Sequence, residues 1–232
     1  MIGIICAEIQ EISEILALMK NIVKERVNHF EFTVGTLNGV KCVAVLSGVG
    51  KVHAAICTQT LILRYKPDFV INVGVAGSIE ENVKIGDIII ASGVIQHDFD
   101  VTAFPGRKKG EISGLETVEF ECTKWITDKM LRSSQNLTDL NLYTGTILTG
   151  DQFLISPQKL YELKNEFGGV ACDMESGSIG HVCYLNKTDF SVIKSISDST
   201  NLNSASDFQA FITQSSKNAA LIILNFIKSY QD

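Results

Sequence analysis

Phe69-Val70-Ile71-Asn72-Val73 runs directly into Gly74-Val75-Ala76-Gly77. An apolar, β-branched run closed by small residues reads as a strand buried on both faces, the kind found inside a sheet covered by helices on either side. Upstream, residues 51–65 read as a helix that Pro67 closes, and Gly48-Val49-Gly50 turns the chain into it. Residues 29–37 and 40–47 read as a hairpin about Leu37-Asn38-Gly39, because Asn-Gly takes the positive φ of a tight hairpin turn. At the N-terminus, 2–7 reads as another buried strand. Ile9, Ile12, Ile15, Leu16 and Met19 then recur at helical spacing, with Glu11, Ser13 and Glu14 on the other face. Downstream come a strand near 87–95, a surface loop at 105–117, a helix at 119–136, a strand at 142–149, helices near 157–166 and 174–186, a strand at 189–197 and a terminal helix from about 207. Strands alternating with helices make an α/β fold. No repeat or linker divides the chain, and a break at 105–117 would leave two halves each short of a core, so 1–232 reads as one domain.

Composition narrows the function. The 232 residues are 45% hydrophobic and 20% charged with three prolines, the profile of an ordered globular chain whose core needs neither metal nor disulfide. Twenty basic against twenty-six acidic side chains leave a net charge of −6, and Arg107-Lys108-Lys109 is too short to track a phosphate backbone, which argues against nucleic acid. The six cysteines form no C-x-x-C pair, and several sit in apolar segments, as packed free thiols in a reducing compartment do. The N-terminal run reads as a strand, not a signal peptide, and no apolar run reaches the length of a membrane helix. The expected location is the cytoplasm.

In open α/β sheets ligands collect beyond the carboxyl ends of the strands, so polar residues after apolar runs are the candidates for chemistry. The turn at 48–50 fails as a dinucleotide fingerprint, since His53 stands where the third glycine belongs, and as a P-loop, since Val52 follows Lys51. It is either a tight turn or a close approach to a small ligand. His97-Asp98-Phe99-Asp100 is the most metal-like cluster, yet adjacent strand residues point to opposite faces. No G-x-S-x-G elbow exists. Asp198, after the run 190–196, suits a general acid if burial raises its pKa, or else a loop or capping aspartate. Asp173 and Glu175 suit the positive end of a helix, and Glu11 by spacing alone belongs to a solvated face.

Taken in order, Gly3-Ile4-Ile5-x-Ala7 with Glu11, Ser47-Gly48-Val49-Gly50-Lys51, Asn72-x-Gly74-x-Ala76-Gly77, His97-Asp98-x-Asp100-Val101-Thr102-Ala103-Phe104, Gly150-Asp151-x-Phe153, Met174-Glu175, His181-Val182-Cys183 and Ile196-Ser197-Asp198 resemble the 5′-methylthioadenosine/S-adenosylhomocysteine nucleosidases of the purine nucleoside phosphorylase superfamily. The resemblance spans almost the whole chain and is weakest over 106–140. It implies a three-layer α/β/α sandwich with a mixed central sheet, and hydrolysis of the N-glycosidic bond of adenine 5′-thioribosides without cofactor or metal.

The resemblance also assigns roles. Asp198, held by Ser197, would protonate adenine; Glu11 would activate water; Glu175 would bind the ribose hydroxyls, with Met174 against the sugar face. Phe153 would stack on the base and the backbone of Leu154 read its edge, while Val49 and Phe208 would close the 5′ pocket. Val101 and Phe104 would reach the pocket of a second subunit, so a homodimer is expected. Four positions depart from the pattern: Val75 replaces a serine, Glu8 a methionine, Lys194 an arginine, and Asp173 a glutamate. The competing readings are a phosphate-dependent nucleoside phosphorylase, a nucleoside-binding protein with weak catalysis, and a nucleosidase for 6-amino-6-deoxyfutalosine or 5′-deoxyadenosine.

Overall fold

A computed structural model describes residues 1–198 and 205–230, and the side chains of all of these except 198 and 205–210. Its frame is β5 (Phe69–Ser78), with β1 (Ile2–Cys6) parallel beside it and β4 (Val40–Leu46) parallel beyond β1. The expected hairpin joins β3 (Phe30–Leu37) to β4, with Asn38 and Gly39 at φ 47° and 85° as a two-residue turn demands. On the other flank of β5 lie β10 (Asp189–Asp198), parallel to it, and β9 (Ala171–Asp173), antiparallel. The path continues from β9 to β8 (Leu142–Thr149) and β6 (Ile88–Gln96), and β6 pairs back onto β10. Five strands therefore close on themselves, while β1, β4, β3 and β2 (Lys20–Val27) extend as an open wing of the same mixed sheet.

The inner strands are apolar on both faces because helices cover both. Ile2, Ile4 and Cys6 of β1 and Phe69, Ile71 and Val73 of β5 pack with α1 (Ile9–Leu18), α3 (Lys124–Ser134) and α6 (Ala205–Tyr230). Ile5 and Val70, pointing the other way, pack with α2 (Lys51–Tyr65) and α5 (Ser176–Asn186). A fully buried isoleucine or leucine contributes roughly 1.5–3 kcal/mol, so this two-sided pattern is the main stabilising term and yields the expected three layers. A smaller cluster seats Leu160 and Leu163 of α4 (Pro157–Phe167) on Leu148 and Ile95.

The structure corrects the reading of 119–136 as one helix. Glu119–Glu121 form β7, antiparallel to β6, and α3 begins only at Lys124. Phe120 is buried while Glu119 turns the other way to accept a hydrogen bond from Thr146 Oγ1 at 2.7 Å, a period-two pattern too short to stand out from the helix beside it. The helix expected from 174 starts at Ser176, because Asp173 and Glu175 are occupied as described below. Two further strands were not anticipated. β2 is an exposed edge with no apolar face to announce it, and β9 is only three residues long.

Candidate active site

A cavity of about 290 Å³ opens where β1, β4, β5, β9 and β10 end. Glu11 reaches its wall from the first turn of α1. Its Oε2 accepts from the backbone N–H groups of Ala7 (2.7 Å) and Glu8 (2.9 Å), and its Oε1 from that of Val75 (2.9 Å). The solvated reading of Glu11 is thus wrong: the side chain is 3% exposed, held inward by N–H groups of Ala7 and Glu8 at the start of α1 and of Val75 on β5. Position 74 must be glycine for this to happen, since a Cβ there would run into Glu11 Oε1. Burial pushes the Glu11 carboxyl above its ordinary range, against the opposing pull of Lys194 and the three N–H donors.

Lys194, on β10, is the hub of the site. It is 1% exposed, and its Nζ lies 2.9 Å from Asp173 Oδ2 and 3.9 Å from Glu175 Oε2. Burial alone would lower its pKa, but Asp173, Glu175 and Glu11 outweigh that and hold it charged, with the pKa raised. Asp173 further accepts from Thr149 Oγ1 (2.5 Å) and from the Ser176 N–H (3.1 Å) that opens α5. Glu175 stands at the N-cap position of the same helix and accepts from the Gly50 N–H at 3.0 Å, which Gly50 can present because it sits at φ 96°. The turn at 48–50 is thus a tight turn whose Val49 lines the cavity. Burial first, then Asp173 and Glu11, raise the Glu175 carboxyl to about 7, against Lys194 and the Gly50 N–H. Breaking one member out of such a buried pair typically costs about 3–5 kcal/mol, because a charge is left uncompensated.

When Glu11 and Glu175 are ionised, the acids around the Lys194 ammonium carry a surplus of negative charge in a water-poor space. Such a site can accept hydrogen bonds from hydroxyls and favour a cation that forms beside it.

The structure brings most of the named residues into this wall. Val49, Val75, Phe153 and Leu154 line it, as do Met174 and Ser197 alongside the acids Glu11, Asp173 and Glu175. Val101 and Phe104 lie outside their own chain's cavity wall, Val101 half-buried and Phe104 67% exposed. The backbone of Asp198 ends β10 in register with Gly77, and Phe208 stands in α6, but both side chains fall outside the described residues. Gln152 and Cys172 line the cavity without having been singled out; Cys172 sits on the three-residue β9, where no periodicity can be read.

The metal-like cluster has a different use. Asp98 accepts from Lys51 Nζ (2.6 Å) and from the Asp151 N–H (3.0 Å), and Asp151 accepts from the Lys51 N–H (2.8 Å). That network ties the segment leading to Phe153 and Leu154 onto the start of α2. His97 points elsewhere, buried against Gly150. Among the described residues no group of three or more His, Cys, Asp or Glu is arranged to hold a metal ion.

Against known proteins, the family described as the phosphorylase superfamily matches residues 1–228. A 5′-methylthioadenosine/S-adenosylhomocysteine nucleosidase from Shewanella loihica is 35% identical over 228 residues, 98% of each chain. The solved structure of the enzyme of that name from Neisseria meningitidis, in complex with methylthio-immucillin-A, matches with a TM-score of 0.93 at 30% identity, covering 98% of both chains. Futalosine hydrolase of Helicobacter pylori matches with a TM-score of 0.92 at 29% identity, covering 98% of this chain and 97% of that one.

Proposed function

Because this chain belongs to the phosphorylase superfamily and, within it, to the 5′-methylthioadenosine/S-adenosylhomocysteine nucleosidases, we propose that its cavity is a hydrolytic nucleoside site whose acids share out one reaction. The protein hydrolyses the N-glycosidic bond of 5′-methylthioadenosine and S-adenosylhomocysteine, releasing adenine. The observation that carries the division of labour is that Glu11 and Glu175 open on one cavity beside the end of β10.

Strand order supplies an orientation. β10, β5, β1 and β4 are successive neighbours, so a nucleoside lying across their ends has its base at β10 and its 5′ end toward β1 and β4. At the base end, Asp198, oriented by Ser197, gives its proton to adenine N7, turning a poor leaving group into a good one. As the bond from C1′ to N9 breaks, the sugar takes on oxocarbenium character, and Glu175 in its ionised form stabilises it. Glu11 takes the proton of the water that attacks C1′. Glu175 accepts from the ribose hydroxyls, Met174 lies against the sugar, Phe153 stacks on the base and the Leu154 backbone reads its edge. Val49 and Phe208 line the 5′ end. Val75 alters a side chain but not the bond that matters, since its backbone N–H is what holds Glu11.

Water, not phosphate, is the nucleophile in this reading, because surplus carboxylates repel an anion. The test is adenine release from 5′-methylthioadenosine in phosphate-free buffer. Turnover that does not change when phosphate is added is expected, whereas a strict phosphate requirement would make the protein a phosphorylase. The near-equal match to futalosine hydrolase indicates that the shared fold leaves the 5′ substituent open.

α2 and α5 pack side by side through Gln59 and Asn186 and present Val52, Ile56, Tyr184 and Leu185 to solvent, each more than half exposed. A second copy of the chain covers that face, and its Val101 and Phe104 close the neighbouring cavity at the 5′ end. Sedimentation at micromolar concentration should therefore give a dimer, and a fully active monomer would refute it. The same reading keeps the protein in the cytoplasm, supported by the six cysteines, all of them buried. Among the described residues no helix is long and apolar enough to cross a membrane.

A further inference from the structure

The carboxylates of the cavity wall are engaged differently. Both oxygens of Glu11 are filled by backbone N–H groups, while Asp173 and Glu175 share the Lys194 ammonium. Glu8 differs in having no cation beside it. It is the N-cap of α1, where its side chain accepts from the Glu11 N–H in a capping box, is half-buried, and lines the cavity, and among the described residues no lysine, arginine or histidine makes an ion pair with it.

Its place follows from the sheet. The Gly48 N–H donates to Ala7 O at 3.2 Å, which sets the end of β1 against the turn carrying Val49. Neighbouring strands lie about 4.8 Å apart, so the β1–β4 side of the cavity is roughly 10–14 Å from the end of β10, about the span of a purine nucleoside. Glu8 therefore faces the substituent on C5′ and not the base.

We propose that Glu8 makes this end of the cavity a cation-selecting subsite, so that the preferred substrates are adenine nucleosides whose 5′ substituent carries an ammonium group. This rests on the nucleosidase reading and adds the substrate class. A carboxylate with no cation beside it attracts a cation and repels an anion within a few ångströms. Because Glu8 is only half-buried, water screens the effect to about fivefold in either direction, and added salt weakens it further.

The test compares three ligands: 5′-methylthioadenosine, 5′-(2-aminoethylthio)-5′-deoxyadenosine and 5′-(2-carboxyethylthio)-5′-deoxyadenosine. Affinity is measured by calorimetry in an Asp198→Asn background, and kcat/KM by adenine release with Asp198 present, each with Glu8 retained or changed to Gln or Asp. The aminoethyl compound should exceed the methyl compound by about fivefold and the carboxyethyl compound fall below it by a similar factor. Both ratios should collapse toward one in Glu8→Gln, survive in Glu8→Asp, and shrink at high salt. Equal ratios with glutamate and glutamine, or no preference at all, would overturn the assignment of Glu8 while cleavage of methylthioadenosine leaves the nucleosidase reading standing. An intact binding ratio without adenine release from any of the three would instead overturn that reading and leave the subsite. Absence of binding by all three overturns both.

Discussion

Asp198→Asn should slow adenine release by about a thousandfold, the middle of the range that a positioned general acid supplies, while substrate affinity changes little. An amide has nearly the shape of a carboxyl but no acidic proton, so the loss falls on the chemical step. The position supports the role: the backbone of Asp198 closes β10 in register with Gly77, and the preceding Ser197 is in the cavity wall. Single-turnover rates on 5′-methylthioadenosine would measure the effect. A riboside whose leaving group departs without protonation, such as p-nitrophenolate, should lose far less in the same variant. Near-normal adenine release would take Asp198 out of the mechanism, and an equal loss on both substrates would make its role structural.

Glu11→Gln should cost a comparable factor in kcat and also lower stability. Both carboxylate oxygens accept from backbone N–H groups, Oε2 from Ala7 and Glu8 and Oε1 from Val75. Glutamine has one oxygen, so its NH₂ must face a donor on one side or the other. A buried donor left unsatisfied costs about 1–3 kcal/mol, or roughly 2–12 °C in melting temperature for a chain of this size. The rate falls for a separate reason. Burial raises the pKa of Glu11 and so makes its ionised form a stronger base toward water, and Lys194 and the N–H groups favour that ionised form. An amide has no such basicity. Thermal melts and kcat are read on the same preparation: a lower melting point with turnover intact would leave Glu11 as a purely structural acid.

The two effects show which parts of the molecule could be read from the chain. Residues 2–7 and 69–77 announce buried strands through their composition, and the Asn-Gly turn announces its hairpin through backbone preference. The ordered motifs carried the acids Glu11, Glu175 and Asp198, but spacing alone put Glu11 on the solvated face. β7 was lost against the neighbouring helix, since Phe120 is a single buried residue between two glutamates. Lys194 stood out only as a departure from a pattern, not as the ammonium that Asp173 and Glu175 share.

Local periodicity, turn chemistry and motif order are properties of neighbours along the chain, and from them the sequence by itself determined an α/β sandwich and singled out the acids proposed for nucleoside hydrolysis. Burial and charge are sums over neighbours in space. Glu11 is held by Val75, 64 residues away, and can be held only because residue 74 has no side chain. Only the tertiary structure could decide that Asp173 and Glu175 meet Lys194 from another strand, that the Gly50 N–H completes Glu175, and that Glu8 faces the cavity without a cation, because each depends on which strands the fold sets side by side.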